Sequence, residues 1–383
     1  MLNITKLWCN TPGSMDHLRY GPNTHQKPIV VWNTTQRCNL KCIHCYTKSE
    51  NKPYQNELTT QEAKTFIEDL ANFKVPVLLF SGGEPLLRQD LFEIASQASN
   101  LGIRTVLSTN GTLITQEIAQ NLKTAGFTYI GVSIDGAETT NNKFRNNPQA
   151  FNQAITGIRN CLKAGIKPGL RFTVTNYNIQ DVEKIFDLIA TENIPRVCFY
   201  HLAYVGRGTA IVNNDLTHEQ ARKFIDYLLL KAETLQQNAQ NTEILTVDNH
   251  ADAAYLYLKL TKKDSKRARE VLELLKINGG NSSGKGIACV DFKGYVHPDQ
   301  FWQHYSIGNI LEEKFSTLWT TTQDPLLLAL RNRTAHLKGK CATCQFLDIC
   351  GGNLRVRAQA VYGDIWAPDP ACYLNTQEIT SSK

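Results

Sequence analysis

The sequence predicts an α/β protein built on a partial (β/α)6 TIM barrel, followed by a smaller cysteine-rich C-terminal domain. Two observations predict this fold. Between residues 29 and 203, six short apolar runs alternate with amphipathic stretches, and four closely spaced cysteines lie near the end of the chain. Strands that alternate with helices form right-handed βαβ units and hence a parallel sheet. With 383 residues, the chain is long enough for both parts.

The apolar runs and the periodic stretches between them predict the elements of the barrel in order. The predicted strands are 29–35, 75–81, 103–109, 128–135, 169–175 and 196–203. One predicted helix begins with Thr59 and Glu62 spaced as a capping box, and others cover 90–101, 115–125, 148–164 and 179–192. In barrels of this kind the chemistry lies at the C-terminal ends of the strands.

After Ala203 the alternation stops, and the chain divides into further parts. Helices are predicted over 217–239 and 251–275, a loop over 278–286 and a hairpin over 287–296. The expected division is a 1–28 N-terminal extension, a 29–215 barrel, a 216–277 helical connection and a 278–383 C-terminal domain.

Composition and charge limit the possible partners and compartment. The formal net charge is +6, and no dense Lys/Arg run indicates nucleic acid. No apolar run approaches the ~20 residues of a membrane span, and the first residues do not resemble a secretory signal. We therefore expect a cytoplasmic protein that binds neither nucleic acid nor membrane. In a reducing cytosol its eleven cysteines are expected to be ligands or buried residues rather than disulfides. Cys161 and Cys198 are expected to be buried.

Three cysteines, Cys38, Cys42 and Cys45, follow the first predicted strand with C-x3-C-x2-C spacing. A closed four-iron cluster uses four thiolates, so three leave one iron open. S-adenosylmethionine (SAM) could chelate that iron through its amino and carboxylate groups, and an electron from the cluster would break its S–C5′ bond. The alternative is a structural zinc site with a fourth ligand elsewhere.

The segment Ser81-Gly82-Gly83-Glu84-Pro85 ends the second predicted strand. Its glycines allow a close approach of backbone to a bound amine, with carbonyls and Glu84 as acceptors. In order and spacing, this segment and the preceding cysteine motif resemble the radical SAM superfamily.

The resemblance implies roles for individual residues. Cys38, Cys42 and Cys45 would bind a SAM-cleaving 4Fe-4S cluster. The implied SAM contacts are His44 at the adenine, Gly82, Gly83, Glu84 and Pro85 at the methionine amine, Ser133 near the ribose or carboxylate, and Arg145 at the carboxylate. For Ser133 and Arg145, a solvated loop position is the alternative.

The second cysteine group comprises Cys341, Cys344, Cys350 and Cys372, a complete set for a closed 4Fe-4S cluster or for a zinc ion. Its spacing resembles the SPASM domain of radical SAM enzymes, or the shorter twitch form. Full SPASM domains have further cysteines where this chain has Asp299 and Leu354. We therefore expect two 4Fe-4S clusters in all, one SAM-binding and one auxiliary, with electron transfer as the auxiliary role and Cys289 as a strand residue.

Longer stretches resemble the tetrapyrrole branch of this superfamily, whose members trim siroheme-derived substrates in heme or heme d1 biosynthesis. They include PIVVWNTTQRCNLKCIHCY, YHLAYVGRG (200–208) and GIACVDFKGYVHPDQFW (286–302). A flat macrocycle with carboxylates needs cations and aromatic surface. Candidate contacts are Arg207, Arg355, Arg357, Tyr204, Phe301 and Trp302, with His297 or His304 as a candidate ligand of the substrate iron; ordinary structural positions are the alternative.

The implied reaction begins with hydrogen abstraction from a ring side chain and ends with loss of acetate or propionate. The implied partners are a siroheme-derived tetrapyrrole and a low-potential electron donor such as flavodoxin or ferredoxin. A peptide-modifying radical SAM enzyme remains an alternative, although such enzymes usually carry a leader-binding domain larger than the 28 residues before the first strand. A non-catalytic iron–sulfur electron carrier is a third hypothesis, which does not explain the SAM-type loops.

Overall fold

In the computed structural model, which describes residues 1–9, 16–21 and 27–380, one twisted sheet contains every named strand. All six predicted strands are present within one to two residues at most ends. The strands are β1 (Leu2–Asn3), β2 (Ile29–Thr35), β3 (Val77–Gly82), β4 (Arg104–Thr109), β5 (Phe127–Ser133), β6 (Lys167–Val174), β7 (Arg196–His201), β8 (Glu243–Val247), β9 (Ile287–Val290), β10 (Tyr295–His297) and β11 (Gly308–Asn309).

The strand order is β1-β8-β7-β6-β5-β4-β3-β2-β9-β10-β11. Strands β2 to β8 are parallel and adjacent in chain order, as a partial barrel requires. Strand β9 adds in parallel to β2, and β10 and β11 continue as antiparallel strands. At the other edge β1 pairs with β8 in antiparallel fashion. The carboxyl ends of seven parallel strands therefore meet at one rim.

Helices cover the outside of the sheet and fill the connections. They are α1 (Ile4–Cys9), α2 (His17–Tyr20), α3 (Thr60–Asn72), α4 (Leu91–Asn100), α5 (Gln116–Thr124), α6 (Glu138–Arg145), α7 (Ala150–Lys163), α8 (Val182–Glu192), α9 (His218–Gln237), α10 (Ala251–Lys263), α11 (Ser265–Asn278), α12 (Phe315–Thr320), α13 (Pro325–Arg331), α14 (Leu347–Cys350), α15 (Arg355–Tyr362) and α16 (Thr376–Ile379). No helix in the described part of the chain is long and apolar enough to cross a bilayer.

The predicted start of α3 is confirmed in detail. The Thr59 hydroxyl accepts the backbone N–H of Glu62, and the Glu62 carboxylate accepts the N–H of Thr59. Thr217 and Gln220 form the same reciprocal pair before α9. Each box satisfies two amide donors that a helix start would otherwise leave unpaired.

The stretch 216–277, expected to be a helical connection, also contains strand β8. Its buried face extends the parallel sheet beside β7. A single helix was expected over 251–275, but the helix breaks at Asp264, whose extended backbone ends α10 and whose carboxylate caps α11 at the N–H of Arg267. Asp264 favours this break because its side chain competes well for free amides at a helix start.

The expected 1–28 extension is only partly described, since residues 10–15 and 22–26 lie outside the described residues. Its described part packs at the far edge of the sheet: the backbone N–H of Asn3 donates to the Tyr20 hydroxyl at 3.0 Å. The predicted hairpin at 287–296 is confirmed as β9 and β10, which turn at Gly294 with φ of 90°. Cys161, Cys198 and Cys289 are buried, as expected.

Candidate functional site

The first cysteine group lies in a loop that leaves the carboxyl end of β2 and is tied down along its length. The backbone N–H of Cys38 donates to the carbonyl of Glu50 at 3.1 Å, and that of Ile43 to the carbonyl of Phe144 at 3.0 Å. Arg207 reaches the loop from beyond β7, with Nε 2.7 Å from the Cys42 carbonyl oxygen and Nη1 3.0 Å from that of Ser49. The loop is thus fixed at both ends and in the middle.

The three thiols of this loop share one environment. Burial raises the pKa of Cys38 to about 12, and Glu84, Cys42 and Cys45 add to the rise. Burial likewise raises the pKa of Cys42, and the positive charge of Arg145 partly offsets this rise. Nη1 of Arg145 lies 3.5 Å from Cys42 Sγ. Neutral thiols are favoured in such a place unless a cationic centre binds them, because a metal deprotonates the thiols it coordinates.

Glycines let the turn after β3 dock on this loop. The backbone N–H of Gly83 donates to the carbonyl of Thr35 at 2.8 Å, and a Cβ atom on Gly83 would lie 2.1 Å from the carbonyl oxygen of Arg37. Gly82 has φ of 121°, which L side chains rarely adopt. No larger residue fits at Gly83 without moving the backbone just before Cys38.

Glu84 was expected to accept from a bound amine, but its carboxylate is enclosed beneath the turn. One oxygen accepts from the Thr109 hydroxyl at 2.7 Å and from the Leu86 N–H at 3.2 Å. The other accepts from the backbone N–H of Asn110 at 2.8 Å. Glu84 therefore joins the ends of β3 and β4, and of the predicted segment Gly82 to Pro85, only the two glycines line the cavity described below.

His44, Asp135 and Arg145 form a polar cluster beside the cysteine loop. His44 Nε2 lies 3.7 Å from Asp135 Oδ2, and its ring centroid is 4.8 Å from that of Phe144. Burial lowers the pKa of His44 to about 4, so the ring is neutral near pH 7, and its Nδ1 is buried without a hydrogen-bond partner among the described residues. Arg145 forms a close ion pair with Asp135.

A cavity opens at the carboxyl rim of the parallel strands and contains most of the predicted site. Its empty volume is about 1080 Å³, including its open mouth. The predicted residues on its wall are Cys38, Cys42, His44, Cys45, Gly82, Gly83, Ser133 and Arg145. The structure thus brings these residues together around one space, at the position where barrels of this kind place their chemistry.

The second cysteine group belongs to the C-terminal tail and does not line the cavity. The pKa of Cys350 is raised by burial, and the next contributions come from Cys372, Cys341 and Cys344. Lys340 Nζ donates to the carbonyl of Cys372 at 2.7 Å. The four thiols therefore lie near one another, with Cys341 and Cys372 buried and Cys344 and Cys350 partly buried.

Within residues 1–9, 16–21 and 27–380, no group of three or more His, Cys, Asp or Glu side chains is arranged to hold a single metal ion. A four-iron cluster sets its thiolates farther apart than one tetrahedral ion does, because each sulfur binds a different iron. The donor chemistry of both cysteine groups, all thiol, fits such a cluster.

The arginines that were predicted to bind a substrate donate instead to acceptors within the protein. Arg357 binds Asp369 and the carbonyls of Leu202 and Asp248. Arg355 donates to three backbone carbonyls of the tail, and Arg207 holds the cysteine loop. These arginines are structural because each has acceptors that a folded backbone supplies at fixed positions.

Of the other candidate substrate contacts, one lies on the cavity wall and the rest are held elsewhere in the protein. Phe301 lies on the cavity wall, but Trp302 is buried and the Tyr204 hydroxyl donates to Asp215 at 2.7 Å. Buried His297 has Nδ1 2.7 Å from the carbonyl oxygen of Tyr305, and His304 Nε2 lies 3.0 Å from the Gln359 side chain. Neither histidine lines the cavity.

Sequence reasoning missed several residues of the cavity wall. These are Arg171, Tyr200, His201, Asp248 and Gln300. The alternation in β6, where Leu170, Phe172 and Val174 are fully buried and Arg171 is not, was the available signal for a lumen-facing arginine.

The comparisons with known proteins agree with this geometry. The sequence model of the Radical SAM superfamily, a protein family, matches residues 32–189 of this chain. The chain is 51% identical over 99% of both chains to Fe-coproporphyrin III synthase of Methanosarcina barkeri. It is 43% identical to pre-heme d1 synthase of Dinoroseobacter shibae, over 92% of this chain and 87% of that one. It is also 33% identical to AdoMet-dependent heme synthase of M. barkeri, over 91% and 97% respectively.

Solved structures show the same fold at lower identity. SuiB of Streptococcus suis with S-adenosylmethionine superposes with a TM-score of 0.72 at 18% identity, over 91% of this chain and 78% of that one. Native anSMEcpe with bound AdoMet gives 0.68 at 19%, over 90% and 94%. The cavity, the cysteine loop and these matches define a radical SAM enzyme. More narrowly, the chain belongs to the heme-related branch of the radical SAM superfamily.

Proposed function

We propose that this enzyme forms Fe-coproporphyrin III by removing acetate side chains from didecarboxysiroheme. The observation that carries the proposal is the identity to the coproporphyrin-forming relative, which extends over nearly the whole of both chains and exceeds that to the heme d1 and heme enzymes. Residues that discriminate substrates lie throughout a cavity wall, so likeness over the full length is stronger support than likeness in the cysteine motifs alone.

We assign the SAM-cleaving 4Fe-4S cluster to Cys38, Cys42 and Cys45. When bound, it supplies the electron that splits SAM into methionine and a 5′-deoxyadenosyl radical, which takes hydrogen from a ring side chain before carbon–carbon cleavage. The chain's own part is to position and enclose. Gly82 and Gly83 leave room for the methionine amine, neutral His44 faces the adenine, and Ser133 and Arg145 bind near the ribose and carboxylate.

In the proposed contact Arg145 would bind the SAM carboxylate while it also pairs with Asp135. A guanidinium has five N–H donors, and Nε of Arg145 is buried without a partner among the described residues. Arg145 therefore has donors left for a second carboxylate without losing the first.

We assign an auxiliary 4Fe-4S cluster to Cys341, Cys344, Cys350 and Cys372, in a SPASM/twitch-like domain over 278–383. Four thiolates leave no open iron, so this centre would accept the electron that remains on the product. A low-potential flavodoxin or ferredoxin would reduce the first cluster. We place the enzyme in the cytoplasm, where thiols stay reduced.

The test is an anaerobic reconstitution followed by turnover. Two clusters give about eight irons per chain, and dithionite with SAM should yield 5′-deoxyadenosine. Didecarboxysiroheme should then be converted to Fe-coproporphyrin III, read by mass spectrometry. Cys38→Ala should abolish SAM cleavage, whereas Cys161→Ala, at a buried helix position outside both groups, should retain it. SAM cleavage without tetrapyrrole binding or product would overturn the proposed substrate and favour the peptide alternative.

A further inference from the structure

Arg171 is a cation on the cavity wall that no carboxylate neutralises. Its side chain makes neither a salt bridge nor a hydrogen bond in the described part of the chain; its guanidinium carbon lies 4.6 Å from the centroid of the Tyr200 ring. By contrast, Arg145 on the same wall is paired with Asp135. A guanidinium removed from bulk water without an anion is costly, so an unpaired one facing a cavity indicates an anionic ligand.

The surrounding strands are shaped to hold Arg171 in this position. A Cβ atom on Gly131 of β5 would lie 2.8 Å from Cδ of Arg171, so the arginine stem crosses the strand where no side chain obstructs it. Tyr200 of β7 covers the guanidinium from the other side. Stacking on an aromatic face keeps the planar group oriented while its N–H edges stay available.

His201 supplies a second donor on the same side of the cavity. Its Nε2 lies 3.0 Å from Asp252 Oδ2, and the Tyr373 hydroxyl donates to the other oxygen of Asp252 at 2.7 Å. Burial lowers the pKa of His201 and Asp252 raises it by more, so it lies above the usual histidine value. Nδ1 makes no hydrogen bond within the described residues, which leaves it available to a ligand.

No nearby carboxylate pairs directly with Arg171. Asp248 also lines the cavity; burial raises its pKa to about 6 and the charge of Arg171 opposes that rise, but the two side chains form no ion pair within the described residues. The side-chain oxygen of Gln300, on the loop after β10, is buried without a hydrogen-bond partner among the described residues. The cavity wall thus contains donors and an acceptor that lack hydrogen-bond partners within the described chain.

We infer that Arg171, with His201, anchors a propionate that stays on the tetrapyrrole while the reacting side chain faces the cysteine loop. This inference rests on the proposed function and names the group by which the substrate is held. Arg171 stands on β6 and His201 on β7, whereas the cysteine loop follows β2, so three strands lie between β2 and Arg171 in the sheet and four lie between β2 and His201. A propionate held there is not the side chain that reacts, and contacts with non-reacting groups orient a substrate for reaction.

The experiment compares Fe-coproporphyrin III with its tetramethyl ester, titrated into the reconstituted full chain and followed by the absorption spectrum. The ester keeps the ring and iron but carries no carboxylate. Wild-type protein should bind the acid at least about tenfold more tightly than the ester, because a hydrogen bond to a charged group contributes about that much affinity. This comparison needs no variant, so it stands even if a substitution disturbs folding.

The variants then assign the preference to a residue. Arg171→Met should reduce the acid-to-ester preference to near one, Arg171→Lys should restore part of it, and His201→Gln should lower it partially. Arg104→Met is the matched control, since Arg104 begins β4 at the opposite end of the barrel and is exposed; it should bind like wild type. Iron content and circular dichroism establish that each variant is folded.

The outcomes separate this inference from the proposed function. Equal binding of acid and ester by wild type, or an unchanged preference in folded Arg171→Met, overturns the anchor while tetrapyrrole binding stands. Binding of neither compound overturns the proposed function and the anchor together. A preference that depends on Arg171 supports both.

Discussion

At the scale of single residues, Arg357 shows why a buried arginine need not be a binding residue. The side chains of Arg357 and Asp369 are both fully buried, and the guanidinium contacts both oxygens of Asp369. Its other donors reach the carbonyls of Leu202 and Asp248, which follow β7 and β8. One side chain therefore fastens the cysteine-rich tail to the rim of the barrel.

We predict that Asp369→Asn destabilises the protein strongly. Removing one partner of a buried, hydrogen-bonded ion pair leaves an uncompensated charge, at a cost of about 3 to 5 kcal/mol. The measurement is the urea midpoint of the reconstituted chain. Glu273→Gln is the control, because the Glu273–Lys276 pair is exposed on α11 and should leave the midpoint unchanged. Equal midpoints for Asp369→Asn and wild type would mean that Arg357 is free to serve another ligand.

The sequence could identify arginines but not their partners. Arg207 lies in a stretch that resembles the tetrapyrrole branch, and Arg355 and Arg357 were candidates because of their charge, yet each is held by backbone carbonyls or a carboxylate of the folded protein. Whether an arginine is free depends on which groups the fold brings to it. Arg171 stands in an ordinary strand pattern, and only the folded structure shows that no carboxylate among the described residues forms an ion pair with it.

At the scale of elements, the sequence predicted regular structure where local signals suffice. Apolar runs gave the strands β2 to β7, and the reciprocal caps at Thr59 and Thr217 gave two helix starts. Strand β8 was missed because its five residues follow a long helix, and their strand conformation depends on pairing with β7. The enclosed position of Glu84 was missed because its partners are distant in sequence: Thr109 ends the next strand, and Asn110 follows it.

We predict that Gly83→Ala impairs binding of the first cluster. The added methyl group would overlap the carbonyl of Arg37, and the displacement would pass directly to Cys38. The variant is expected to lose about four irons per reconstituted chain and, with them, the ability to cleave SAM. The measurements are iron and sulfide content and 5′-deoxyadenosine.

Gly102→Ala is the control for a glycine-to-alanine change that causes no steric overlap. Gly102 has φ of 83°, but no atom lies within 4 Å of an added Cβ, so the substitution carries only a conformational cost of about 1 kcal/mol. It should retain all its iron. Full iron content in Gly83→Ala would show that the loop adapts and that the close approach is not required.

At the scale of the whole molecule, the tail and the barrel share contacts that couple the two cysteine groups to one cavity. Asn353 of the tail accepts the backbone N–H of His250 and donates to Asn249, just after β8. Tyr373, next to Cys372, donates to Asp252, which in turn contacts His201 on the cavity wall. A short chain of hydrogen bonds therefore connects Tyr373, the residue after Cys372, with the cavity wall.

We predict that Cys350→Ala separates SAM cleavage from product formation. Loss of one of four thiolates should remove the auxiliary cluster and lower the iron content from about eight to about four per chain. The first cluster should persist, because its loop is held by Arg207 and by Gly83 rather than by the tail. Dithionite and SAM should then still yield 5′-deoxyadenosine, whereas Fe-coproporphyrin III should not form, since the electron left on the product has no acceptor. Cys9→Ala, which alters a partly buried thiol outside both groups, should match wild type in iron and product. If Cys350→Ala kept all its iron, the tail would hold no cluster; if it lost all its iron while remaining folded by circular dichroism, the two centres would depend on each other for assembly.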